Sequence, residues 1–211
     1  MSKKNESLPD LKLFLLGDSG VGKTNFILRY TKNKFQNSYI STIGIDFLAK
    51  DVLLPNKEKV QIRFYDTAGQ EQYKSIAFNL VKLAEGIILM YDISSNNSFD
   101  SMKEWIESIK AVKGDDFPVL LCGNKCDLEE QRAITKEDGE DLAKNNGFIF
   151  FETSCKENIN ITESVSEFAL KVLEKKIKDE KEFHKLEKKK HQKKKEDAKY
   201  IILIIIIVKV I

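Results

Sequence analysis

The sequence is poor in the residues that mark several special classes of protein. Its 211 residues include 3 cysteines, 3 prolines and 10 glycines. The cysteines form neither an even set nor a C-x-x-C pair, which argues against a disulfide framework or a zinc site and favours a reducing compartment. So little proline and glycine excludes a collagenous or low-complexity chain. Residues 1–10 are polar and lack the apolar core of a signal peptide, so we expect a flexible, cytosolic N-terminus.

The charge is divided unevenly along the chain. Hydrophobic residues make up 42% and charged residues 32%, which predicts one domain with a sizeable core, followed by a tail. Residues 171–199 contain 13 lysines and 7 acidic residues, whereas the whole chain carries only +2, so an acidic body precedes a basic tail. That arrangement is typical of proteins that meet a membrane surface or nucleic acid. The lysines have no interleaved aromatic residues to stack bases, so we expect no nucleic acid.

Short apolar runs alternate with stretches of helical periodicity. Thr135 and Asn160 predict helix starts, each with an acidic residue three positions later, and Gly147 predicts a helix stop. Strands alternating with helices predict an α/β fold with a mostly parallel sheet, whose ligands bind at the carboxyl ends of the strands. The apolar runs are residues 11–16, 60–65, 86–91, 119–123 and 148–151, and the helical faces are Phe99, Met102, Ile106 and Ile109, then Ile161, Val165, Phe168 and Val172.

The first apolar run is followed by a complete G-x-x-x-x-G-K-T motif, residues 17–24. Its glycines let successive N–H groups point into one concavity, and the helix that follows adds its positive N-terminal dipole. We expect Lys23 to reach the terminal phosphates of a nucleotide and the Thr24 hydroxyl to ligate Mg²⁺. The residues expected at the nucleotide are Asp18, Ser19, Gly20, Val21, Gly22, Lys23, Thr24 and Asn25.

A second motif, D-T-A-G-Q, begins at Asp66 where another predicted strand ends. In a protein with a phosphate-binding loop, such a carboxylate sits near Mg²⁺, usually through water. The Gly69 N–H can meet a γ-phosphate. The motif therefore predicts the metal side of a nucleotide triphosphate site.

The motif N-K-C-D, residues 124–127, distinguishes guanine from adenine. The Asp127 carboxylate can accept both the N1–H and the N2 amino group of guanine, whereas adenine presents an acceptor at N1 and repels it. Asn124 can bond elsewhere on the purine or across the site, and the Lys125 stem can lie on the base plane. The other residues expected here are Leu128 and the loop Ser154, Cys155 and Lys156, whose N–H groups could reach guanine O6.

Together these motifs resemble the Ras superfamily of small GTPases and, within it, the Rab branch, over residues 8–176. The resemblance implies a P-loop small G domain at residues 11–176, with a six-stranded mostly parallel sheet and five helices. It implies that Thr42 ligates Mg²⁺ with Thr24 and Asp66, that Phe35 packs beside the nucleotide, that Ser41 lies in the same site, and that Gln70 orients the attacking water. It also implies Mg²⁺ and GTP or GDP as ligands. The implied partners are an exchange factor, a GTPase-activating protein, effectors and a cytoplasmic membrane surface.

The chain departs from the Rab pattern at several positions. Tyr65 stands where Rabs usually have tryptophan, and Leu80 and Val81 stand where they usually have paired tyrosines, which changes an aromatic surface read by effectors. Cys155 replaces the usual alanine, but the contact there is through the backbone. Arg29 and Arg63 fall on the first helix and third strand, and neither is an obvious arginine finger, so we expect slow intrinsic hydrolysis that needs an activating protein.

The C-terminal tail is the largest departure. Residues 177–199 predict a lysine-rich helical or disordered extension, and residues 200–211 form an isoleucine-rich apolar tail without the cysteines in which Rabs normally end. This run is shorter than the ~20 apolar residues that span a bilayer. Three interpretations stay open: a non-covalent membrane anchor of lysines and isoleucines, a read-through or gene-prediction error, or a β-prone segment without a role.

The motifs predict a GTP-dependent switch, in which hydrolysis of GTP to GDP releases the loops that bind effectors. We expect it in the cytosol and at the cytoplasmic face of an intracellular membrane. One alternative is a nucleotide-locked scaffold on membranes with little or no GTPase activity. Another is an ATP-using P-loop kinase, which requires adenine to be tolerated beside Asp127.

Overall fold

The computed structural model describes residues 8–37, 45–67 and 81–210. The chain divides into two compact units, Met1–Val172 and Leu173–Ile211. The described strands are β1 (Asp10–Leu16), β2 (Ile45–Leu53), β3 (Lys59–Thr67), β4 (Gly86–Asp92), β5 (Val119–Asn124) and β6 (Ile149–Thr153). The described α-helices are α1 (Lys23–Lys32), α2 (Asn96–Asp100), α3 (Met102–Lys113), α4 (Lys136–Asn146) and α5 (Ile161–Val210), with a short 3-10 turn at Glu129–Gln131.

The six strands form one sheet in the order β2-β3-β1-β4-β5-β6. Strand β2 pairs antiparallel with β3, and every other neighbouring pair is parallel. The mostly parallel six-stranded sheet predicted from the sequence is therefore confirmed. Because β1, β3, β5 and β6 run in the same direction, the loops that follow them meet at one edge of the sheet.

Strand β2 has no counterpart among the predicted apolar runs. It lies at the edge of the sheet, and the side chains of residues 47–53 alternate between exposed and half-buried. Phe47 is 58% exposed and Leu53 is 62% exposed, with charged residues between them. A strand with one neighbour and little burial produces no continuous apolar run, so the sequence pattern does not reveal it.

The central strands are buried along their whole length, and helices supply the rest of the core. All seven residues of β4 and all six of β5 are buried. The predicted helical face on α5 is confirmed, since Ile161, Val165, Phe168 and Val172 are each at most 1% exposed. Burial of each such side chain contributes about 1.5–3 kcal/mol. The other predicted face is shared between two helices, because α2 ends at Asp100 and α3 begins at Met102.

The predicted helix boundaries are confirmed. Thr135 and Asp138 form a reciprocal capping box at the start of α4, and Gly147 ends this helix in a left-handed conformation with φ of 70°. Helix α5 begins at Ile161, directly after Asn160. The Asn160 carbonyl accepts the Ser164 N–H at 3.1 Å, so the first turn of α5 is closed at the predicted residue.

The second unit, from Leu173 onward, consists of helix in its described part, since α5 extends to Val210. The backbone of residues 200–210 is thus helical and not extended. Lys175 and Asp179 form an i,i+4 ion pair at 3.3 Å, and Phe183 and Leu186 are more than half exposed. Among the described residues, no helix has an apolar stretch long enough to cross a membrane. The predicted domain boundaries at residues 10, 176 and 199 stay predictions, and residues 1–7 of the predicted flexible N-terminus lie outside the described residues.

Candidate functional site

The phosphate-loop motif connects β1 to α1 and needs glycine at two of its positions. Gly17 has φ of 132°, and a Cβ there would lie 2.2 Å from the Met90 carbonyl oxygen. Gly22, the residue before α1, has φ of 109°, and a Cβ there would lie 2.3 Å from Nδ2 of Asn124. A side chain at either position would clash, and positive φ values of this kind favour glycine. The glycines thus allow close approach of the loop backbone to β4 and β5.

Lys23 is held by the loop itself. Its Nζ donates to the Gly17 carbonyl and the Asp18 carbonyl, both at 2.7 Å, and the residue is 6% exposed. Burial lowers the pKa of Lys23 to about 8, although the Asp66 and Asp18 carboxylates act in the opposite direction. An ammonium group has three donors, so Lys23 can meet a phosphate oxygen without giving up either carbonyl.

Thr24 and Asp66 come together from distant parts of the sequence. The Thr24 hydroxyl donates to Oδ2 of Asp66 at 2.6 Å. The next residue, Thr67, donates its hydroxyl to the Leu15 carbonyl at 2.6 Å and so fixes the end of β3 against β1. A hydroxyl beside a carboxylate supplies the hard oxygen ligands that Mg²⁺ prefers.

The described side chains include no cluster of three or more His, Cys, Asp or Glu that could hold a metal ion by itself.

Trp105 supports the phosphate loop from the core, a contact that the sequence did not reveal. Trp105 lies on α3, is 2% exposed, and donates its indole N–H to Oδ1 of Asp18 at 2.9 Å. The backbone carbonyl of Asp18 is one of the two that hold Lys23. The available signal was the chain's single tryptophan beside a predicted apolar helix face, because buried indole N–H groups usually need an acceptor.

Asn124 connects the phosphate loop with the end of β6. It is 1% exposed and ends β5. Its Nδ2 donates to the Val21 carbonyl of the phosphate loop at 2.8 Å, while its Oδ1 accepts the Thr153 hydroxyl at 3.2 Å. Of the two roles considered for Asn124, the structure shows the bond across the site. The N-K-C-D loop is therefore tied both to the phosphate loop and to the end of β6.

Asp127 and Lys125, the residues expected at the base, each have a supporting partner. The Ser154 hydroxyl donates to Oδ1 of Asp127 at 2.5 Å. Nζ of Lys125 lies 2.6 Å from Oδ2 of Asp92, at the end of β4. The other carboxylate oxygen of Asp92 accepts the N–H and the hydroxyl of Ser94 at 2.9 Å and 2.7 Å. Neither Asp92 nor Ser94 belongs to a predicted motif. The predicted apolar run, residues 86–91, ends one residue before Asp92 and gave no sign that Asp92 would face Lys125.

The loop after β6 is held by an arginine on α1. Nε of Arg29 donates to the Cys155 carbonyl at 2.7 Å, and Nη2 donates to the Lys156 carbonyl at 3.0 Å. The Cys155 thiol is buried and lies 3.4 Å from Oδ1 of Asn124. Burial raises the pKa of this thiol to about 12. The sequence placed Arg29 on the first helix without assigning it a role, and the structure brings it to the predicted guanine loop.

Asn25 and Phe35 lie at the beginning and beyond the end of α1. The Asn25 amide donates to the Gln36 carbonyl at 3.1 Å and accepts the Gln36 N–H at 2.9 Å. Asn25 thus fixes the segment that carries Phe35. Of the remaining predicted site residues, Val21 is buried and Leu128 is half-buried, with its N–H donating to the Lys125 carbonyl at 2.8 Å. The predicted residues Ser41, Thr42, Gly69 and Gln70 lie outside the described residues.

The positions that depart from the Rab pattern at the effector surface are partly described. Tyr65 is half-buried and stacks on Phe14 with ring centroids 4.4 Å apart. The exposed Phe47 ring lies 6.1 Å from Tyr65 on the other side. Val81 is fully buried, and Leu80 lies outside the described residues. Tyr65 and Phe47 therefore continue an aromatic stack from the core toward solvent.

The chain is similar to known proteins over most of its length. A model of the Ras family matches residues 12–174. The cattle Ras-related protein Rab-13 is 46% identical over 162 residues, which cover 77% of this chain and 79% of that protein. The cattle Ras-related protein Rab-3C is 44% identical over 153 residues, covering 72% and 67%. The human Ras-related protein Rab-3D is 46% identical over 150 residues, covering 71% and 68%.

Proposed function

The chain belongs to the Ras family and is a Rab-like small GTPase of vesicle trafficking, and on this premise we propose which of its residues bind and hydrolyse the nucleotide. It binds guanine nucleotide and hydrolyses GTP, as members of this family do. The alternative of a membrane scaffold without GTPase activity is not favoured by these relatives. Membership of a GTPase family also argues against the ATP-using kinase.

One observation carries the assignment of the site. The Asn124 amide donates to Val21, so the base-reading motif and the phosphate loop, about a hundred residues apart in sequence, are in direct contact. A nucleotide is a ligand with a base at one end and phosphates at the other. The contact supports a single site that holds both ends, as opposed to two unrelated loops.

The guanine base is read by Asp127, which accepts the N1–H and N2 amino group, while Ser154 holds the carboxylate in place. Lys125, paired with Asp92, lays its stem along the base. The N–H groups of the loop containing Cys155 and Lys156 meet O6. These contacts together distinguish guanine from adenine, whose N1 and N6 present the opposite pattern.

The phosphates are bound by the N–H groups of the phosphate loop and by Lys23. Mg²⁺, when bound, would neutralise charge on the β- and γ-phosphates, and its protein ligands would be Thr24 and Thr42, with Asp66 nearby. Gln70 orients the attacking water, and the Gly69 N–H meets the γ-phosphate. Loss of that phosphate releases Thr42 and Gly69, which converts the effector-binding form to the GDP form.

The contacts of the arginines agree with the expectation that unaided hydrolysis is slow. The chain has three, and each is engaged elsewhere: Arg29 with the loop after β6, Arg63 with Asp10 at 3.1 Å, and Arg132 with Glu152 at 2.6 Å. An arginine that stabilises the charge of the transferred phosphoryl group must then come from another protein. A GTPase-activating protein is therefore among the proposed partners, with an exchange factor and effectors.

We further propose that the protein acts in the cytosol and at the cytoplasmic face of an intracellular membrane. The lysine excess of residues 171–199 is carried on a helix, and lysines near anionic lipid contribute about 1 kcal/mol each. Apolar residues 200–208 follow on the same helix and can enter the membrane interface.

The proposed function is tested by extracting nucleotide from the purified full chain and by measuring single-turnover hydrolysis. We expect guanine nucleotide in the extract and unaided hydrolysis on the order of 10⁻⁴ to 10⁻³ s⁻¹ with Mg²⁺. Competition against a fluorescent GDP analogue should be effective with GTP and ineffective with ATP. Equal competition by ATP, or an extract without guanine nucleotide, would contradict the proposal.

A further inference from the structure

We propose that Arg29 is a positioning residue for guanine recognition, which sets the direction of the loop N–H that meets O6 and links that loop to the Phe35 segment. This inference rests on the proposed guanine-nucleotide site. It concerns a side chain that none of the sequence motifs includes.

Arg29 spans two parts of the fold that are far apart in sequence. It lies in the last turns of α1, six residues after Lys23. Its guanidinium donates to two consecutive carbonyls, those of Cys155 and Lys156, 126 and 127 residues away. A planar guanidinium presents its donors as a rigid fork, and two successive carbonyl acceptors suit that geometry. Hydrogen bonds from a charged donor are stronger than neutral ones.

Holding the Cys155 carbonyl also fixes an N–H group. The Cys155 carbonyl and the Lys156 N–H belong to the same peptide unit, and the described peptide bonds include no cis bond. In a planar trans peptide the N–H points opposite to the carbonyl. Because Arg29 draws the carbonyl toward α1, the Lys156 N–H is directed away from α1. The direction of a donor proposed for O6 is thus set by Arg29.

The rest of the same loop is held independently of Arg29. The Ser154 hydroxyl accepts the Glu157 N–H at 3.0 Å and donates to Asp127. The Ser154 N–H and carbonyl form a reciprocal bridge with Ile159. Loss of Arg29 is therefore expected to change the orientation of one peptide unit without unfolding the loop.

Arg29 is itself anchored, and the anchor leads to Phe35. Its Nη1 donates to the carbonyl and to Oδ1 of Asn33 at 3.3 Å and 3.1 Å. Asn33 ends α1 in the left-handed conformation with φ of 51°. The guanidinium carbon lies 6.0 Å from the Phe35 ring centroid, which is within the range of a cation–π contact. One guanidinium therefore contacts the aromatic proposed beside the nucleotide and the loop proposed at O6.

The test combines substitutions of Arg29 with small changes in the guanine base of the ligand. The first variant is Arg29→Gln, which removes the charge and shortens the side chain. The second is Arg29→Lys, which keeps the charge but lacks the planar guanidinium that can donate to two carbonyls at once. Dissociation constants are measured for GDP, for 6-thio-GDP, whose sulfur accepts hydrogen bonds weakly in place of O6, and for IDP, which lacks the 2-amino group. Arg63→Gln, on β3, is the matched control.

For Arg29→Gln we expect GDP binding to weaken about 10- to 100-fold, the effect of losing one or two charge-assisted hydrogen bonds. The preference for GDP over 6-thio-GDP should fall at least threefold, because the O6 contact is the one disturbed. The preference for GDP over IDP should stay unchanged, because Asp127 and Ser154 remain in place. Arg29→Lys should resemble Arg29→Gln more closely than the native protein, and Arg63→Gln should change nothing.

Equal weakening of all three nucleotides would mean that Arg29 only stabilises the fold and would overturn the inference. So would an Arg29→Gln variant that binds GDP as the native protein does. Native protein that binds GDP no better than ATP would instead contradict the proposed function, and the inference with it. The thermal unfolding midpoint of each variant, measured without nucleotide, separates a loss of fold from a loss of recognition.

Discussion

The phosphate end and the guanine end of the proposed site are built in different ways. The phosphate end is one continuous stretch, residues 17–24, in which glycine conformations and two backbone carbonyls place a buried lysine. The guanine end collects side chains from β4, from the loops after β5 and β6, and from α1. Hydrogen bonds between side chains, such as the one from Ser154 to Asp127, hold these side chains in place relative to one another.

Because the two ends are built differently, substitutions in them should affect nucleotide binding differently. Few substitutions in the phosphate loop keep the shape of its backbone. Substitutions there should therefore weaken the binding of all nucleotides with the same phosphates to the same extent. At the guanine end several side chains each contribute part of the binding. A substitution of one of them should therefore reduce nucleotide affinity less, and it should alter the preference among bases. Two ratios therefore distinguish the two ends: GDP to IDP binding reports on the 2-amino contact at Asp127, and GDP to 6-thio-GDP binding reports on the O6 contact at the loop that Arg29 holds.

The largest effect is expected at Lys23. Lys23→Met keeps the length of the stem and removes the buried ammonium that meets the terminal phosphates. Losing one partner of a buried charge pair costs about 2–5 kcal/mol, or roughly 30- to 5,000-fold in GDP affinity. Titration calorimetry should show this loss with an unchanged GDP to IDP ratio. A variant that retains GDP affinity within threefold would show that the backbone alone binds the phosphates.

A somewhat smaller loss with a change of preference is expected at Asp127. Asp127→Asn replaces a carboxylate that accepts two hydrogen bonds by an amide that can accept only one and places a donor against the other. We expect GDP affinity to fall about 100-fold, or ~3 kcal/mol. Binding of xanthosine diphosphate should rise, because its 2-oxo group accepts from the new amide. The measurement is competition against a fluorescent GDP analogue.

The matched control is Asp115→Asn, because Asp115 is exposed and pairs only weakly with Lys110 at 3.5 Å. It should leave both nucleotides unaffected. If Asp127→Asn lowered GDP and xanthosine diphosphate binding equally, the carboxylate would be acting on the loop and not on the base.

The same contrast explains how much the sequence could predict. The motifs of the phosphate end are contiguous, so Lys23 and Thr24 could be assigned directly from their spacing. At the guanine end, Asn124 and Asp127 could also be assigned, because they lie in one short motif at the end of a buried strand. The alternating pattern of apolar strands and helices was enough to predict the mostly parallel sheet, although not its exposed edge strand β2.

The supporting residues could not be predicted in this way. Arg29, Asp92 and Trp105 each contact the site through tertiary packing that brings together residues from about 30 to over 120 positions apart. Nothing in their local sequence distinguishes an arginine that holds a loop from one exposed on a helix. The length of α5 was also left open, since lysines have good helix propensity but do not show whether a helix continues beyond the core.

A smaller effect at the phosphate end is expected from Trp105. Trp105→Phe keeps an aromatic ring in the core and removes the N–H that donates to Asp18 at 2.9 Å. A hydrogen bond to a charged acceptor contributes about 1.5–3 kcal/mol, but Asp18 acts on the nucleotide only through its loop. We therefore expect about a 3- to 10-fold faster release of GDP and of IDP alike, measured with fluorescent analogues in stopped flow.

The control for this substitution is Ile109→Val, which alters a buried residue one turn further along the same helix. It should lower stability by about 0.5–1.5 kcal/mol and leave nucleotide release unchanged. Asp18→Asn, which keeps a carbonyl acceptor for the indole, should release nucleotide more slowly than Trp105→Phe. Faster release of GDP but not of IDP would place Trp105 at the guanine end and contradict the comparison.

The smallest effect is expected at Asp92, where the spread of base recognition over several residues can be measured directly. Asp92→Asn keeps an acceptor for Ser94 and removes the charge that pairs with Lys125 at 2.6 Å. The Lys125 side chain is 34% exposed, so the pair is partly screened and contributes about 0.2–1 kcal/mol. We expect GDP affinity to fall about 2- to 5-fold at low salt. At 0.5 M salt the difference from the native protein should shrink, because the Debye length is then only about 4–5 Å. A loss above about 50-fold that salt does not reduce would show that the guanine end depends on one buried contact as strongly as the phosphate end depends on Lys23.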